Sequence, residues 1–149
     1  MDSHSIKSIY GCKPCNKTGK LSPLEKWYNS LIEKSSDEID MTDLLRMLRQ
    51  GVLLELAIPK VLELLADNPF VGVSYEGELL WHLHYVSSYY LEQYYTTVVK
   101  ILSIAEAGIP ELYWLPTEDS NELRELILEL REKVTSPGDS GKGNYENTI

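Results

Sequence analysis

Apolar residues recur with the period of an α-helix through most of the chain between residues 21 and 135. The clearest start is Ser22, which precedes a proline at the first helical position and a Glu25 placed to complete a capping box. The apolar face of this first helix comprises Leu24, Trp27, Tyr28, Leu31 and Ile32. No stretch alternates polar and apolar positions as a half-buried strand does. The pattern predicts an all-α protein, an irregular bundle of about six helices with flexible N- and C-terminal tails.

Two further helices precede a proline-marked loop. The second begins at Asp40 or Thr42, both suitable caps, and ends at Gly51. The third keeps its helical phase straight through Pro59 and ends at Asp67-Asn68-Pro69. Because a proline inside a helix costs ~3 kcal/mol, we expect either a kink at Pro59 or a new helix that starts there.

The segment from Glu78 to Ala107 contains neither proline nor glycine, so helix is expected throughout. One helix of 30 residues would be about 45 Å long, which is too long for a domain of this size. We therefore expect a break at Ser87-Ser88 that divides the segment into two helices.

A connector and one more helix complete the predicted bundle. The connector is expected to pack Tyr113 and Trp114 against the core, and Asp119 and Glu122 can form a capping pair for the last helix. The core face of that helix comprises Leu123, Leu126, Ile127, Leu130 and Val134. Its other side carries a row of glutamates typical of a solvated helix face, namely Glu122, Glu125, Glu129 and Glu132.

Charge is spread unevenly along the chain. The protein carries 14 basic and 23 acidic side chains, a formal net charge of −9. Residues 1–20 hold four lysines against one aspartate, a net charge of +3, which leaves −12 for the remaining 129 residues. Because the two ends show little apolar periodicity, we expect a flexible basic arm over residues 1–20, a helical domain over 21–135 and a disordered tail over 136–149.

This composition argues against several classes of function. A body of net charge −12 repels phosphate, so direct binding of nucleic acid and docking on an anionic membrane are not expected. No apolar run approaches the roughly 18 residues of a membrane helix, and the first 20 residues lack the apolar stretch of a secretion signal. Two cysteines do not make a disulfide scaffold. A cytoplasmic protein is therefore expected.

The residues that could carry catalysis do not combine into a reacting set. His82 and His84 are two positions apart on a predicted helix and point about 200° apart, so they cannot bind one metal ion together. We expect one packed and one partly exposed histidine. Cys12 and Cys15 form a CxxC pair, but no strand precedes it and no second pair completes a zinc site. We expect no enzyme activity, no cofactor and no metal site; a metal knuckle or a redox role for the cysteines are the alternatives.

Carboxylates and aromatic side chains concentrate in two parts of the chain. One group of acids surrounds a predicted helix start, where acids favour the helix dipole. Seven of the 14 aromatic residues fall within 21 positions from Tyr75 to Tyr95, where one helix would place Trp81, Tyr85 and Tyr89 on one face. Tyrosines here could pack on both sides of the helix, form a binding face or line a ligand pocket. The candidate binding residues are Asp37, Glu38, Asp40, Asp43, Tyr75, Glu76, Glu78, Trp81, Tyr85 and Tyr89.

Three segments carry a resemblance to a known family. They are the opening LSPLEKWY, the helix DLLRMLRQ and the loop NPF…YEGELL, within a similarity that is clearest over about residues 21–108. In these segments the chain resembles the contact-dependent growth inhibition immunity proteins of enteric bacteria. None of the three is a catalytic motif, and the arm with its CxxC pair lies outside the pattern.

The resemblance implies a cytoplasmic immunity protein that binds the toxic C-terminal domain of a cognate large adhesin and neutralises it. It also implies a ribonuclease as the toxin. We expect the protein to bind the toxin as one monomer in a 1:1 complex. The charge agrees independently, because a nuclease holds phosphate in a basic cleft and an acidic domain is attracted to such a cleft. Blockage of the active site and blockage of substrate access from the side both fit. The alternative function is an acidic helical adaptor that binds another basic protein.

Overall fold

The structure is a computed structural model that describes residues 5–16 and 19–135. Regular structure in these residues is helical, apart from an isolated β-bridge between Ser5 and Ser35. The α-helices are, in chain order, α1 (Ile6–Tyr10), α2 (Pro23–Glu33), α3 (Met41–Gln50), α4 (Leu54–Asp67), α5 (Glu78–Leu83), α6 (Ser88–Leu91), α7 (Tyr95–Gly108) and α8 (Thr117–Thr135). Short 3-10 helices span Ser36–Glu38, Glu92–Tyr94 and Ile109–Glu111. The predicted all-α fold class is confirmed.

The described residues divide into two compact units, with the boundary between Leu44 and Leu45, inside α3. The predicted domain limits at residues 20 and 135 stay predictions, and the predicted tail over 136–149 lies outside the described residues. Within the described ranges, none of the helices is both long enough and apolar enough to cross a membrane.

The first unit has a small core to which the N-terminal segment contributes. Ile6 of α1 is only 1% exposed, and its amide donates a hydrogen bond to the carbonyl of Lys34 at 2.8 Å. Leu31 and Ile32 of α2 are fully buried in the same unit. A helix of five residues is too short to show an apolar period, so the sequence predicts only an arm where the structure has α1.

The helix starts of the first unit follow the predicted chemistry. Ser22 Oγ accepts a hydrogen bond from the Glu25 amide at 3.1 Å, and Glu25 Oε1 accepts one from the Ser22 amide at 2.8 Å. At the start of α3, Asp40 Oδ1 accepts from the Asp43 amide at 2.8 Å. Both caps satisfy amides that have no partner within their own helix, as the sequence predicts.

Proline in α4 does not begin a new helix. α4 is one helix from Leu54 to Asp67 with Pro59 inside it, so of the two expected alternatives, a kink or a new start at Pro59, the new start is wrong. A proline removes the hydrogen bond to the carbonyl four residues earlier, which here belongs to Glu55. Glu55 and Pro59 are both exposed, so the proline lies on the solvent side of the helix. The opposite face is buried through Ala57, Ile58, Val61, Leu62 and Leu65.

The aromatic segment breaks where the sequence predicts. α5 ends at Leu83, and Ser87 caps α6 by accepting a hydrogen bond from the Tyr89 amide at 3.1 Å. A 3-10 turn at Glu92–Tyr94 then separates α6 from α7, so the segment forms three α-helices rather than the expected two.

The predicted core face of α8 is buried along its whole length: Leu123, Leu126, Ile127, Leu130 and Val134. α8 begins at Thr117, two residues before the expected capping pair, so Asp119 and Glu122 lie inside the helix. Near its other end, Lys133 Nζ donates hydrogen bonds to the carbonyls of His84 and Val86 at 2.8 and 2.7 Å. Burial lowers the pKa of Lys133.

The connector between α7 and α8 corrects one expectation. Tyr113 is 88% exposed and Trp114 is 57% exposed, so neither packs against the core. The 3-10 turn that precedes them directs Ile109 and Leu112 inward instead, and these two residues are buried.

Candidate functional site

The loop between α4 and α5 is fixed by the side chain that follows it. Glu78, the first residue of α5, is buried, and its Oε1 accepts hydrogen bonds from the amides of Val73 and Ser74 at 2.7 and 2.8 Å. The Gly77 amide donates to the carbonyl of Phe70 at 2.7 Å. Glu78 was a candidate binding residue on sequence grounds, and the structure places its carboxylate inside the loop.

Two glycines show how closely this loop is packed. A Cβ atom on Gly72 would lie 2.3 Å from the carbonyl oxygen of Tyr75 and 2.6 Å from Cβ of Glu78. Gly77 has a φ of +82°, and a Cβ there would lie 2.9 Å from Leu123 Cδ2 of α8. Both positions therefore require glycine, since larger residues would clash or adopt a strained backbone. The loop has one defined shape and is seated on α8.

Side chains from this loop, α5, the connector and α8 form a cleft of about 350 Å³, which we call the aromatic–acidic cleft. Its lining residues are Tyr75, Glu76, Trp81, Leu115, Asp119, Glu122 and Leu123. Two of them are aromatic, two are leucines, three are acidic and none is basic. The cleft therefore combines an apolar lining with negative charge.

The three acids of the cleft, Glu76, Asp119 and Glu122, are free of ion pairs within the described ranges. Asp119 and Glu122 are exposed and Glu76 is half-buried. Asp119 and Glu122 are three residues apart on α8, whereas Glu76 is more than 40 residues away from both along the chain. Folding therefore brings three carboxylates from distant segments to one cleft whose lining contains no basic residue.

The aromatic candidates do not lie on one helix face. Trp81 is in α5, Tyr85 follows the end of that helix and Tyr89 is in α6, so the single helix that would give them a common face is not formed. Tyr75, Tyr85 and Tyr89 are nonetheless exposed, while Trp81 is half-buried. Burial and the nearby charge of Glu78 raise the pKa of Tyr75, so its hydroxyl stays protonated and able to donate a hydrogen bond.

The histidines take the positions that the sequence predicts, one packed and one partly exposed. His82 is buried, with Nε2 at 3.0 Å from Nη2 of Arg49 and Nδ1 at 2.9 Å from the carbonyl oxygen of Glu78. Arginine only donates, so Nε2 accepts and the proton of the ring is on Nδ1. His84 lies 3.0 Å from a carboxylate oxygen of Glu129. Within the described residues, no group of three or more potential ligands is placed to hold a metal ion.

In the first unit, Asp43 is bound internally. Its Oδ1 accepts from Nε1 of Trp27 at 3.0 Å, and its Oδ2 accepts from Lys34 Nζ at 2.5 Å and from the Asp40 amide at 3.2 Å. Burial alone raises the pKa of Asp43, but these hydrogen bonds outweigh it and hold the pKa below its ordinary value. The hydrogen bond to Asp43 likewise raises the pKa of Lys34.

The other three acids of this group are exposed. Glu38 Oε1 accepts a hydrogen bond from the Ser35 amide at 2.9 Å, and Asp40 caps α3. Asp37 directly precedes Glu38 in the 3-10 turn. We call Asp37, Glu38, Asp40 and Asp43 the α3 acidic cluster; most of its carboxylates bind the protein's own amides.

The CxxC pair lies beside α2. Both thiols, of Cys12 and Cys15, are free and partly buried. The Asn29 side chain accepts from the Cys15 amide at 2.7 Å and donates to its carbonyl at 3.2 Å. Burial and a hydrogen bond with Cys12 raise the pKa of Tyr28. These contacts fix the backbone at Cys15 against the helix.

Sequence reasoning missed half of the cleft. It treated Asp119 and Glu122 as helix-start and solvated residues, and Leu115 as part of a connector, because each has that local pattern. The exposed Tyr113 and Trp114, with ring centroids 5.2 Å apart, precede Leu115 directly. This aromatic pair next to an acidic helix start is a sequence signal that could have indicated the side of the cleft formed by the connector and α8.

A fixed loop with an exposed tyrosine, beside carboxylates that form no ion pair within the described residues, is typical of a surface that binds another protein. Comparison with known families agrees: residues 8–101, nearly two thirds of the chain, match the family of CDI immunity proteins, those of contact-dependent growth inhibition. The chain belongs to this family. No curated protein matches it. The matched region includes the loop with Tyr75 and Glu76, and also Trp81. The cleft residues from the connector and α8 lie beyond it.

Proposed function

We propose that the protein binds the toxic C-terminal domain of its cognate adhesin in the cytoplasm and neutralises it as one monomer in a 1:1 complex. The observation that carries the proposal is the ordered loop of the second unit. The loop places Tyr75 and Glu76 at an acidic cleft that Trp81 of α5 also lines, and these residues lie within the region that matches the immunity family. Exposed Tyr85 and Tyr89 extend the contact surface.

We propose a nuclease as the toxin, and a ribonuclease in particular because the family resemblance implies one. The chain has a net charge of −9, and the cleft contains three acids and no base. A nuclease must present basic side chains to hold a phosphate backbone. The electrostatic potentials of the nuclease and of this protein are therefore complementary. A standard interface takes about 800 Å² from each partner, with aromatic residues at its centre and charged residues around them.

The mechanism we propose is direct occupation of the toxin's active site by carboxylates in place of phosphates. Exposed acids of the α3 acidic cluster, Asp37, Glu38 and Asp40, would add to the long-range attraction. Binding beside the active site, with obstruction of the RNA path, is the competing mechanism.

The test is a ribonuclease assay with purified toxin domain and a titration of this protein. We expect RNA cleavage to stop near a molar ratio of one, and the two proteins to co-purify. Cleavage that persists with excess protein, and without co-purification, would falsify the proposal.

Substrate size separates the two mechanisms. A protein that occupies the active site blocks cleavage of a dinucleotide as fully as that of a long RNA. A protein bound to the side leaves dinucleotide cleavage intact and blocks only the long substrate.

A further inference from the structure

We propose that the aromatic–acidic cleft receives a single arginine side chain from the toxin, an inference that rests on the proposed function and names what this surface recognises. The cleft is a formed feature, because the loop on one side is fixed by Glu78 and by two obligatory glycines. Its volume of about 350 Å³ lies at the lower end of the roughly 300–1,000 Å³ of ligand sites, which suits one side chain better than a large cofactor.

The apolar lining fits the body of an arginine. A guanidinium group is planar, delocalised and weakly hydrated, and it stacks on aromatic faces such as those of Trp81 and Tyr75. The methylene stem behind it needs apolar contact, which Leu115 and Leu123 offer.

The charge of the lining fits the head group. Glu76, Asp119 and Glu122 offer six carboxylate oxygens, and an arginine carries five N–H donors in a fixed plane. No lining residue is basic and none of the three acids is engaged in an ion pair within the described ranges, so an incoming cation displaces no internal partner. A phosphate or an acidic peptide would be repelled. A lysine ammonium is compact and more strongly hydrated, so it gains less from the rings.

Two matched double variants separate binding at the cleft from attraction by the overall negative charge of the protein. Asp119→Asn with Glu122→Gln changes two acids that line the cleft, and Glu125→Gln with Glu132→Gln changes two exposed acids of the same helix that do not line it. Both proteins lose two negative charges. We expect the cleft pair to weaken the affinity for the toxin domain by a factor of about 10 or more, mainly through faster dissociation, and the control pair by less than about threefold.

A small probe tests the chemistry without the toxin. We expect Nα-acetyl-arginine amide, added in millimolar amounts to the isotope-labelled full chain, to shift amide NMR signals around Trp81, Leu115 and Leu123. The citrulline analogue, which has the same shape without the charge, should shift them at least about fivefold less. The cleft double variant should lose the response, with its folding checked by circular dichroism.

The outcomes separate this inference from the proposed function. If the toxin is inhibited but both double variants bind it equally, the arginine site is wrong and the immunity function stands. If the wild-type chain does not bind the toxin, the immunity function fails, and the probe titration alone decides the preference of the cleft. Equal shifts from the arginine and citrulline probes would overturn the inference in either case.

Discussion

Two acidic regions of this molecule look alike in sequence and differ in what their carboxylates do. In the α3 acidic cluster, Asp43 is buried and bound by Trp27 and Lys34, and its neighbours accept hydrogen bonds from backbone amides. In the aromatic–acidic cleft, the three acids are free of ion pairs within the described residues and lie beside aromatic rings. The denser cluster is therefore the more structural one.

The difference has a simple physical origin. Acids near a helix start lie close to backbone amides that have no partner within the helix. Their carboxylate oxygens accept hydrogen bonds from these amides and so cap the helix. In the cleft, Glu76 meets Asp119 and Glu122 from a distant segment, and none of the three forms an ion pair within the described residues. In this chain the closely spaced acids therefore mark a helix start.

The largest expected effect comes from the buried member of the α3 acidic cluster. Asp43→Ala leaves the Trp27 indole and the Lys34 ammonium without their acceptor, and we expect the free energy of unfolding to fall by about 3 kcal/mol. Urea unfolding followed by circular dichroism measures it. Asp37→Ala is the control and should change stability by less than about 0.5 kcal/mol. Equal losses in both variants would remove the contrast within the cluster.

A somewhat smaller loss is expected at the loop that shapes the cleft. Glu78→Ala removes an acceptor for the Val73 and Ser74 amides, and we expect about 2 kcal/mol of destabilisation. Hydrogen exchange should accelerate at these two amides. Glu76→Ala should leave that exchange unchanged, because Glu76 lines the cleft and makes no hydrogen bond to the loop amides. Protected amides in the Glu78 variant would show that the glycines alone fix the loop.

How much of this could be predicted depends on whether a signal is local. The Ser22–Glu25 capping box, the apolar face of α8 and the break before Ser88 all follow from a few contiguous residues, and all three predictions are confirmed. The burial of Ile6 was not predicted, because the position of α1 depends on a distant part of the chain: the Ile6 amide donates a hydrogen bond to the carbonyl of Lys34.

The cleft shows the same limit. Glu76 and Trp81 were candidates from the aromatic segment, but their partners Leu115 and Glu122 come from a connector and a helix that have ordinary local patterns. Their meeting depends on how the loop sits on α8, through the close approach of Gly77 to Leu123. No periodicity in the sequence encodes that contact.

A smaller effect should appear on acidification. The pKa of Asp43 lies below its ordinary value of 3.8, so the unfolded chain takes up this proton before the folded protein does. The stability that Asp43 provides is therefore complete above pH 3.8 and is lost as the pH falls through the lower value of the folded state. Unfolding free energies measured between about pH 6 and pH 3 should fall at the acid end. The fall should be shallower in Asp43→Asn and unaltered in Asp37→Asn; equal slopes in all three would contradict the assignment.

The smallest effect is expected from the exposed acids of the α3 acidic cluster. Asp37→Asn with Asp40→Ser removes two charges but keeps a cap for α3, since serine caps helices about as well as aspartate. We expect unchanged stability and a two- to fivefold slower association with the toxin domain at low salt, about the scale of a lost long-range attraction. The dissociation rate should stay the same, which stopped-flow fluorescence measures directly. Faster dissociation instead would mean that these acids contact the toxin, and both acidic regions would then belong to the binding surface.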